Sequence, residues 1–286
     1  MRYQFGCDLD YEVQAETLFI FNVEVARLAR HRDLVEELTI TPGPQRRSYT
    51  APQVKNRYTS VLVPEGRLSL RYSGEVDLHV HRADPAGIGE IPVSEVPLDV
   101  IPFLLPSRFV PSDRLGDFAQ RQFGHLSPGH ERVTRICNWI YDNIDYRRGS
   151  SNAETTATES LIDRAGVCRD FAHLGISFCR ALNIPARFVS AYALGLEPAD
   201  FHAVFEAYLD GRWWLFDATR QAALDGLVRI GVGRDAAEIA FCAPFGQMKP
   251  TGMTIRISRA DGEPPPAERT TDAISTEEPA PDAGAA

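Results

Sequence analysis

The sequence predicts an α+β protein. A β-rich N-terminal region covers residues 1–105, and a core over 106–258 packs one helix on an antiparallel sheet. A tail over 259–286 is expected to lack regular structure. Three observations carry this reading. The first hundred residues alternate apolar and polar side chains with period two. The middle of the chain shows apolar residues at helical spacing. Asp210-Gly211, a strong two-residue hairpin signal, then separates two strand-like runs.

Within the first region, Leu68, Leu70, Tyr72, Val76, Leu78 and Val80 share one face of a strand, with Gly74 as a candidate bulge. Phe19, Phe21, Val23 and Val25 do the same earlier, and Thr41-Pro42-Gly43-Pro44 between them is loop chemistry. Short alternating strands with such turns point to a sandwich-like or barrel-like module. Pro92, Pro97, Pro102, Pro106 and Pro111 punctuate a segment that crosses to the core. Ser127-Pro128 reads as an N-cap followed by proline at the first helical position. Val133, Ile136, Ile140 and Ile144 then continue at helical spacing for about four turns. A second helix starts near Cys168, with Phe171, Leu174, Phe178 and Leu182 as its apolar stripe. Asn183-Ile184-Pro185 ends it, because proline cannot continue the hydrogen-bond ladder. Strands are expected at 186–193, 201–209 and 212–216.

Composition sets limits on function. The chain has 286 residues, 44% hydrophobic and 24% charged, enough for one large or two modest domains. Of the formal charge of −9, the stretch 261–286 holds −6 in a proline-rich run whose only aliphatic side chain larger than alanine is Ile274. Such a run buries too little surface to offset its ordering entropy, so disorder is expected there. No basic stripe suits a phosphate backbone, which argues against a nucleic-acid partner. Residues 1–8 lack the apolar core of a signal peptide, and no apolar run approaches a membrane span. The expected location is the cytoplasm, without a membrane partner. Cys7, Cys137, Cys168, Cys179 and Cys242 are odd in number and widely scattered, which reads as free thiols with at most one chemically active.

The candidate site starts at Cys168, at a loop-to-helix junction. An ordinary thiol is only about 3% thiolate at neutral pH. A helix N-terminus together with a neighbouring imidazolium can bring a thiol's pKa to roughly 4–7. His202 and Asp217 fall on the two strands that flank the Asp210-Gly211 turn. With the turn centred there, position 202 faces 219, so Asp217 is a diagonal neighbour of His202 within side-chain reach. A thiol, an imidazole and a carboxylate are the parts of a nucleophile, its base and the base's orienter. Taken singly, each has a plainer explanation: a small buried hydrophobe, a satisfied core histidine and a turn residue.

The motifs Gly166-Val167-Cys168-Arg169-Asp170-Phe171-Ala172-His173-Leu174, Ile184-Pro185-Ala186-Arg187-Phe188-Val189-Ser190, His202-Ala203 and Asp217-Ala218-Thr219 resemble the transglutaminase-like superfamily. More narrowly, they resemble its bacterial branch, in which a β-rich N-terminal region precedes a papain-like core. The resemblance covers residues 1–258 and implies a cysteine-protease-type fold. It implies Cys168 as nucleophile, His202 as general base and acid, and Asp217 as orienter, acting on a peptide or protein through an acyl-thioester. Hydrolysis of a peptide or side-chain amide is the leading expectation. Acyl transfer to an amine, or peptide binding without catalysis, are the alternatives. No cofactor is implied, and the oligomeric state is left open. The chain departs from the common family pattern at Val204, Ala218 and Ala191, where tryptophan, proline and glycine are usual. The backbone N–H of Cys168 is the first expected oxyanion donor, with the second upstream near Tyr146 or Asn152.

Other groups read as structural. His79 and His81 lack a third ligand nearby and fit a solvated strand face better than a metal pair. His173 lies about 140° round the helix from Cys168 and is expected to pack; Cys179 is three turns away. Gly231-Val232-Gly233 lacks the lysine of a phosphate loop and reads as a loop near the cleft. Of Trp213 and Trp214, one is expected in the core and the other beside the site.

Overall fold

The computed structural model of the chain describes residues 1–43, 45–260, 262 and 270–277. In β1 (Arg2–Val13) Tyr3, Phe5, Cys7, Leu9, Tyr11 and Val13 are all buried, the alternation of a strand with one face against a core. β1 pairs antiparallel with β6 (Gly66–Leu78), which pairs with β3 (His31–Thr41), and β15 (Met248–Arg259) completes this sheet beside β1. A second sheet combines β2 (Thr17–Phe21), β4 (Arg46–Thr50), β5 (Arg57–Val63) and β14 (Cys242–Phe245) in the order β14-β2-β5-β4. The two share one core, in which Leu9, Phe19, Phe21, Val61, Leu68 and Leu70 are almost fully buried. Gly74 is not a bulge. The register shift lies in the facing strand, between Arg32 and Val35. A Cβ at Gly74 would stand 2.7 Å from the Val35 carbonyl oxygen and 2.9 Å from the Phe5 ring, so glycine permits a close approach of strands.

Sequence alone assigns residues 242–258 to the core, but β14 and β15 pair with the N-terminal strands. Period-two patterning marks them as strands without naming their partners, because register over long separations is set by tertiary fit.

The crossing segment 85–114 is held in short 3₁₀ turns. Four helices follow: α1 (Gly116–Phe123), α2 (His130–Asn143), α3 (Ala157–Asp163) and α4 (Cys168–Ala181). A two-strand parallel pair, β8 (Asp145–Tyr146) and β9 (Ala165–Gly166), brackets α3. The sheet beneath α4 is formed by β10 (Ala186–Ala193), β11 (Phe201–Leu209), β12 (Arg212–Phe216) and β13 (Leu227–Gly233) in the order β12-β11-β10-β13, antiparallel throughout. α4 packs Leu174 and Phe178 into the cluster that holds Ala203, Phe205 and Ala207 of β11. At their closest approach a Cβ on Gly175 would lie 2.4 Å from the Phe205 ring, so only glycine lets helix and sheet meet there. Gly231-Val232-Gly233 is the end of β13 rather than a loop, and its glycines make room for neighbouring side chains.

The expectation of disorder over 259–286 fails at residues 270–277; the other residues of that stretch beyond Ala260, Gly262 apart, lie outside the described ones. β16 (Ala273–Ser275) pairs with β7 (His81–Ala83), and Ile274 is fully buried against Val204 and Leu215. Glu277 then enters a cluster of charges. Its carboxylate takes Arg187 at 2.6 Å and Arg229, while Glu206, wholly buried on β11, takes Arg187 at 2.7 Å and also Arg229. Counting apolar residues misses this anchor, because the segment is held by a single isoleucine and an ion-pair network.

Glu277 makes a measurable contribution. Burial opposes its charge, but Arg187 and Arg229 outweigh burial and hold its carboxyl down at about 2. Its unfolded value is about 4.3. The stabilisation it gives is therefore complete above about pH 4.5 and fades as pH falls toward 2. Glu277→Gln is expected to lower stability at pH 7 by about 1–3 kcal/mol by leaving buried guanidinium charge short of a carboxylate. Urea unfolding of both proteins should show that gap shrinking below pH 4; a gap independent of pH would place the stabilisation elsewhere.

Candidate active site

Cys168 opens α4 because the residues around it form an acid-capped helix start. Val167 is extended, with φ −113° and ψ −176°, and the Asp170 carboxylate accepts its N–H at 2.8 Å. Arg169 holds that carboxylate at 3.1 Å. A Cβ on Gly166 would stand 2.6 Å from the Asp170 Cβ, so Gly166 is needed to let the cap close rather than to make an unusual turn. The sulfur lies half-buried at the first turn, where backbone N–H groups lack helical partners and favour an anion.

His202 and Asp217 come together as the hairpin register dictates. Leu209 faces Arg212 and Phe205 faces Phe216, which carries position 202 toward 219. His202 Nε2 and Asp217 Oδ2 are 3.0 Å apart. Asp217 Oδ1 accepts from the Thr219 N–H at 2.8 Å and its hydroxyl at 2.7 Å, and Oδ2 accepts from the Ala222 N–H at 3.2 Å. With Nε2 engaged, Nδ1 is the ring atom left for the Cys168 thiol, which lies close enough to favour the charged imidazole. The three groups stand in a row with the imidazole in the middle. A metal would need them to converge on one point, and no metal-holding cluster of His, Cys, Asp or Glu occurs among the described residues.

Electrostatics follow from that row. Burial of His202, only 2% exposed, disfavours its charge, but the Asp217 carboxylate and the bonds to Asp217 and Cys168 prevail and push its pKa up to about 10. Burial likewise opposes the Asp217 charge, yet His202 and Thr219 hold its carboxyl below the usual carboxylate range.

Tyr146 joins the site through the β8–β9 pair, which sets it opposite Gly166. Its hydroxyl lies within reach of both the thiol and the backbone N–H of Cys168; burial, then the neighbouring sulfur, pushes its pKa up to about 12. Asn152 is used otherwise: its Oδ1 accepts from the N–H groups of Glu154 and Thr155 in a local turn. A cleft of about 380 Å³ opens here, lined by Tyr146, Arg148, Gly195, Leu196, Glu197 and Gln221. A larger one of about 860 Å³ reaches Asp217 from the far side, past His130, Asn138 and Arg220, but touches neither Cys168 nor Tyr146. The smaller cleft is the one that Tyr146 lines, and Tyr146 is its link to Cys168.

The remaining candidates are structural. His173 is fully buried, stacked on Phe109 at 5.4 Å, and its Nε2 accepts from the Ala236 N–H. Burial pushes the thiols of Cys7, Cys137, Cys179 and Cys242 up. His79 is exposed after β6 ends, whereas His81 lies on β7 against Trp214. Neither tryptophan lines the cleft that Tyr146 lines: Trp214 joins the α4 core, and Trp213 packs with Val96, Val100 and Tyr208 beneath Arg187. Sequence reasoning missed the Asp170 cap, although an acid three residues into a helix is a legible signal. Arg148, Glu197 and Gln221 carry no local signal, since loops bring them to the cleft.

Two family models match the chain. The model of the transglutaminase-like superfamily matches residues 116–218, and that of the bacterial transglutaminase N-terminal domain matches residues 1–99. A solved structure named a "putative cysteine protease", from Cytophaga hutchinsonii, superposes with a TM-score of 0.92 at 38% identity, covering 97% of this chain and 98% of that one. An uncharacterized protein of Mycobacterium leprae is 29% identical over 48% of this chain, which spans 52% of that relative's length. An uncharacterized protein of Mycobacterium bovis is 28% identical over 73% of this chain and 75% of its own. Among the described residues, no helix is long and apolar enough to cross a membrane.

The His202–Asp217 contact predicts its own titration. In Asp217→Asn the burial that disfavours the imidazolium loses its main opponent, so the His202 pKa should fall from about 10 to below the ordinary value of about 6.5. An NMR titration of the ring carbons reads this; a value left near 10 would mean that Asp217 is not what holds the proton.

Proposed function

The chain belongs to the transglutaminase-like superfamily, and on that premise we propose that it is a thiol enzyme acting on a peptide or side-chain amide. The observation that carries the reading is His202 set between the Asp217 carboxylate at 3.0 Å and the Cys168 thiol at a helix start. The Cys168 thiolate, beside a His202 that already holds its proton, attacks the amide carbon. The carbonyl oxygen takes the negative charge and is met by the Cys168 N–H and the Tyr146 hydroxyl. As the intermediate collapses, the carbon–nitrogen bond breaks and the imidazolium gives its proton to the departing amine. An acyl-thioester on Cys168 remains. His202 then takes a proton from water, whose oxygen attacks the thioester carbon, and the sulfur leaves as thiolate. Asp217 keeps the ring oriented with Nδ1 toward the sulfur.

Hydrolysis is favoured over transfer by exposure. The sulfur is half-buried and Tyr146 is 37% exposed, so water reaches the thioester without a channel opening. The Cytophaga relative's name points the same way. A reducing cytoplasm, which keeps the five scattered cysteines as thiols, remains the proposed location.

Two experiments test the reading. At pH 7 iodoacetamide should alkylate Cys168 faster in the wild type than in His202→Ala, because the charged imidazole favours the sulfur anion; Cys168→Ala should keep the fold and lose all turnover of a peptide library. Equal labelling rates in the two proteins would favour a peptide-binding module instead. Tyr146→Phe should lower kcat by about 10- to 100-fold with little change in KM, as expected for a donor to the oxyanion. An unchanged kcat would remove Tyr146 from the chemistry.

A further inference from the structure

The cleft lined by Tyr146, whose hydroxyl neighbours Cys168, carries charges of both signs. Arg148 lines it two residues beyond the tyrosine whose hydroxyl neighbours Cys168. Glu197, on the loop after Gly195 and Leu196, and Gln221, on the segment that follows Asp217, line it as well. Asp200, two residues before His202 and three after Glu197, adds a half-buried carboxylate; it accepts locally, from the Phe201 N–H at 2.8 Å. Arg148 is exposed, and its guanidinium makes no hydrogen bond or ion pair with any described residue. It lies close enough to both Tyr146 and Asp200 for its charge to act on each.

Most arginines around the core of this molecule are tied down, as Arg169, Arg180, Arg187 and Arg229 show. An untied guanidinium on the wall of a reaction cleft is therefore available to a ligand. Its planar fork pairs with a carboxylate through two parallel hydrogen bonds, a geometry that selects both charge and orientation.

We propose that Arg148 is the specificity-determining residue of the cleft: it binds a carboxylate carried by the acyl-donating substrate beside the amide attacked by Cys168, so the site takes acidic peptides. Glu197 and Asp200 act on the same choice by repulsion. An acidic group placed toward their wall meets like charge, which fixes the direction in which an acidic substrate enters. The proposal rests on Cys168 being the nucleophile and says which acyl donors reach it.

The test needs no known substrate at its first step. Iodoacetate and iodoacetamide form the same sulfur–carbon bond and release the same iodide, differing by one negative charge. Their rate ratio at Cys168, read by mass spectrometry, reports the charge that an incoming anion meets. His202 is common to every protein compared. The ratio should fall about three- to tenfold in Arg148→Ala and further in Arg148→Glu, the size expected for one charge at several ångströms in a partly aqueous cleft. Arg147→Ala, which changes net charge equally but removes a residue that does not line the cleft, should move the ratio less than about twofold by the same distance dependence. A ratio in Arg148→Ala equal to that of the wild type, or matched by Arg147→Ala, overturns the proposal. The second step is the set of bonds cut in a peptide library. Asp or Glu beside the cleaved bond should be enriched for the wild type, and the enrichment should vanish in Arg148→Ala. A wild-type set without acidic enrichment also overturns it, while leaving the thiol chemistry intact. Failure of iodoacetamide itself to label Cys168 would instead remove the nucleophile.

Discussion

A buried imidazole that keeps its proton is the constraint around which this molecule is arranged. Taking a charged ring out of water is costly, and His202 is almost wholly enclosed. The charge survives because Asp217 meets Nε2, and Asp217 is itself fixed by Thr219 and by the Ala222 N–H. Those contacts exist only if β11 and β12 keep one register, since a slip of one residue would turn His202 and Asp217 to different faces. The Asp210-Gly211 turn sets that register, with Asp210 and Gly211 both at positive φ, 48° and 73°. A two-residue turn thus governs the electrostatics of a site that lies farther along both strands, at His202 and Asp217.

Register alone would not hold the sheet rigid. β11 carries a second buried charge, Glu206, four residues beyond His202, and it ties β11 to β10 through Arg187 and to β13 through Arg229. Glu277 balances those two arginines from outside the sheet. On the other side, the N-terminal module presses against the same strands: Tyr192 of β10 donates to the Val23 carbonyl at 2.8 Å and enters the core of the first two sheets. The β10–β13 sheet is therefore braced by α4 on one face and by strands and the C-terminal segment on the other. The β-rich region is a wall of the site's scaffold rather than an appended domain.

What could be read from the sequence divides along the distance over which each feature is decided. The α4 start, its stop at Asn183, and strands β10, β11 and β12 are local, and spacing with turn chemistry locates them. The His202–Asp217 contact is nearly local, because one hairpin fixes it. Cys168 joins them through helix-on-sheet packing, and family motifs carried that step where spacing could not. The return of β14 and β15 to the N-terminal sheets and the docking of β16 are settled by partners more than a hundred residues away. Composition misled at the tail for a definite reason. It counts apolar area, whereas residues 270–277 are held by one isoleucine and by Glu277 in a pocket of arginines. Small α1 and α3 went unseen because each is too short for periodicity to register.

The proposed reacting groups and the proposed selecting groups also come from different kinds of segment, and this has a chemical consequence. Cys168, His202 and Asp217 sit on or directly beside helix and strand ends, where packing would hold them to the tolerance that the proposed proton transfer requires. Arg148, Glu197 and Gln221 sit on loops, where a change of side chain disturbs little packing. Tyr146 is the exception, a cleft residue pinned by the short β8–β9 ladder so that its hydroxyl keeps its place at the Cys168 N–H. In the proposed mechanism that pinning would separate stabilisation of the reacting oxygen from recognition of the rest of the substrate, although the two residues are only two positions apart. The proposed thiol chemistry would then be kept while the charge of the acyl donor is changed at position 148 alone.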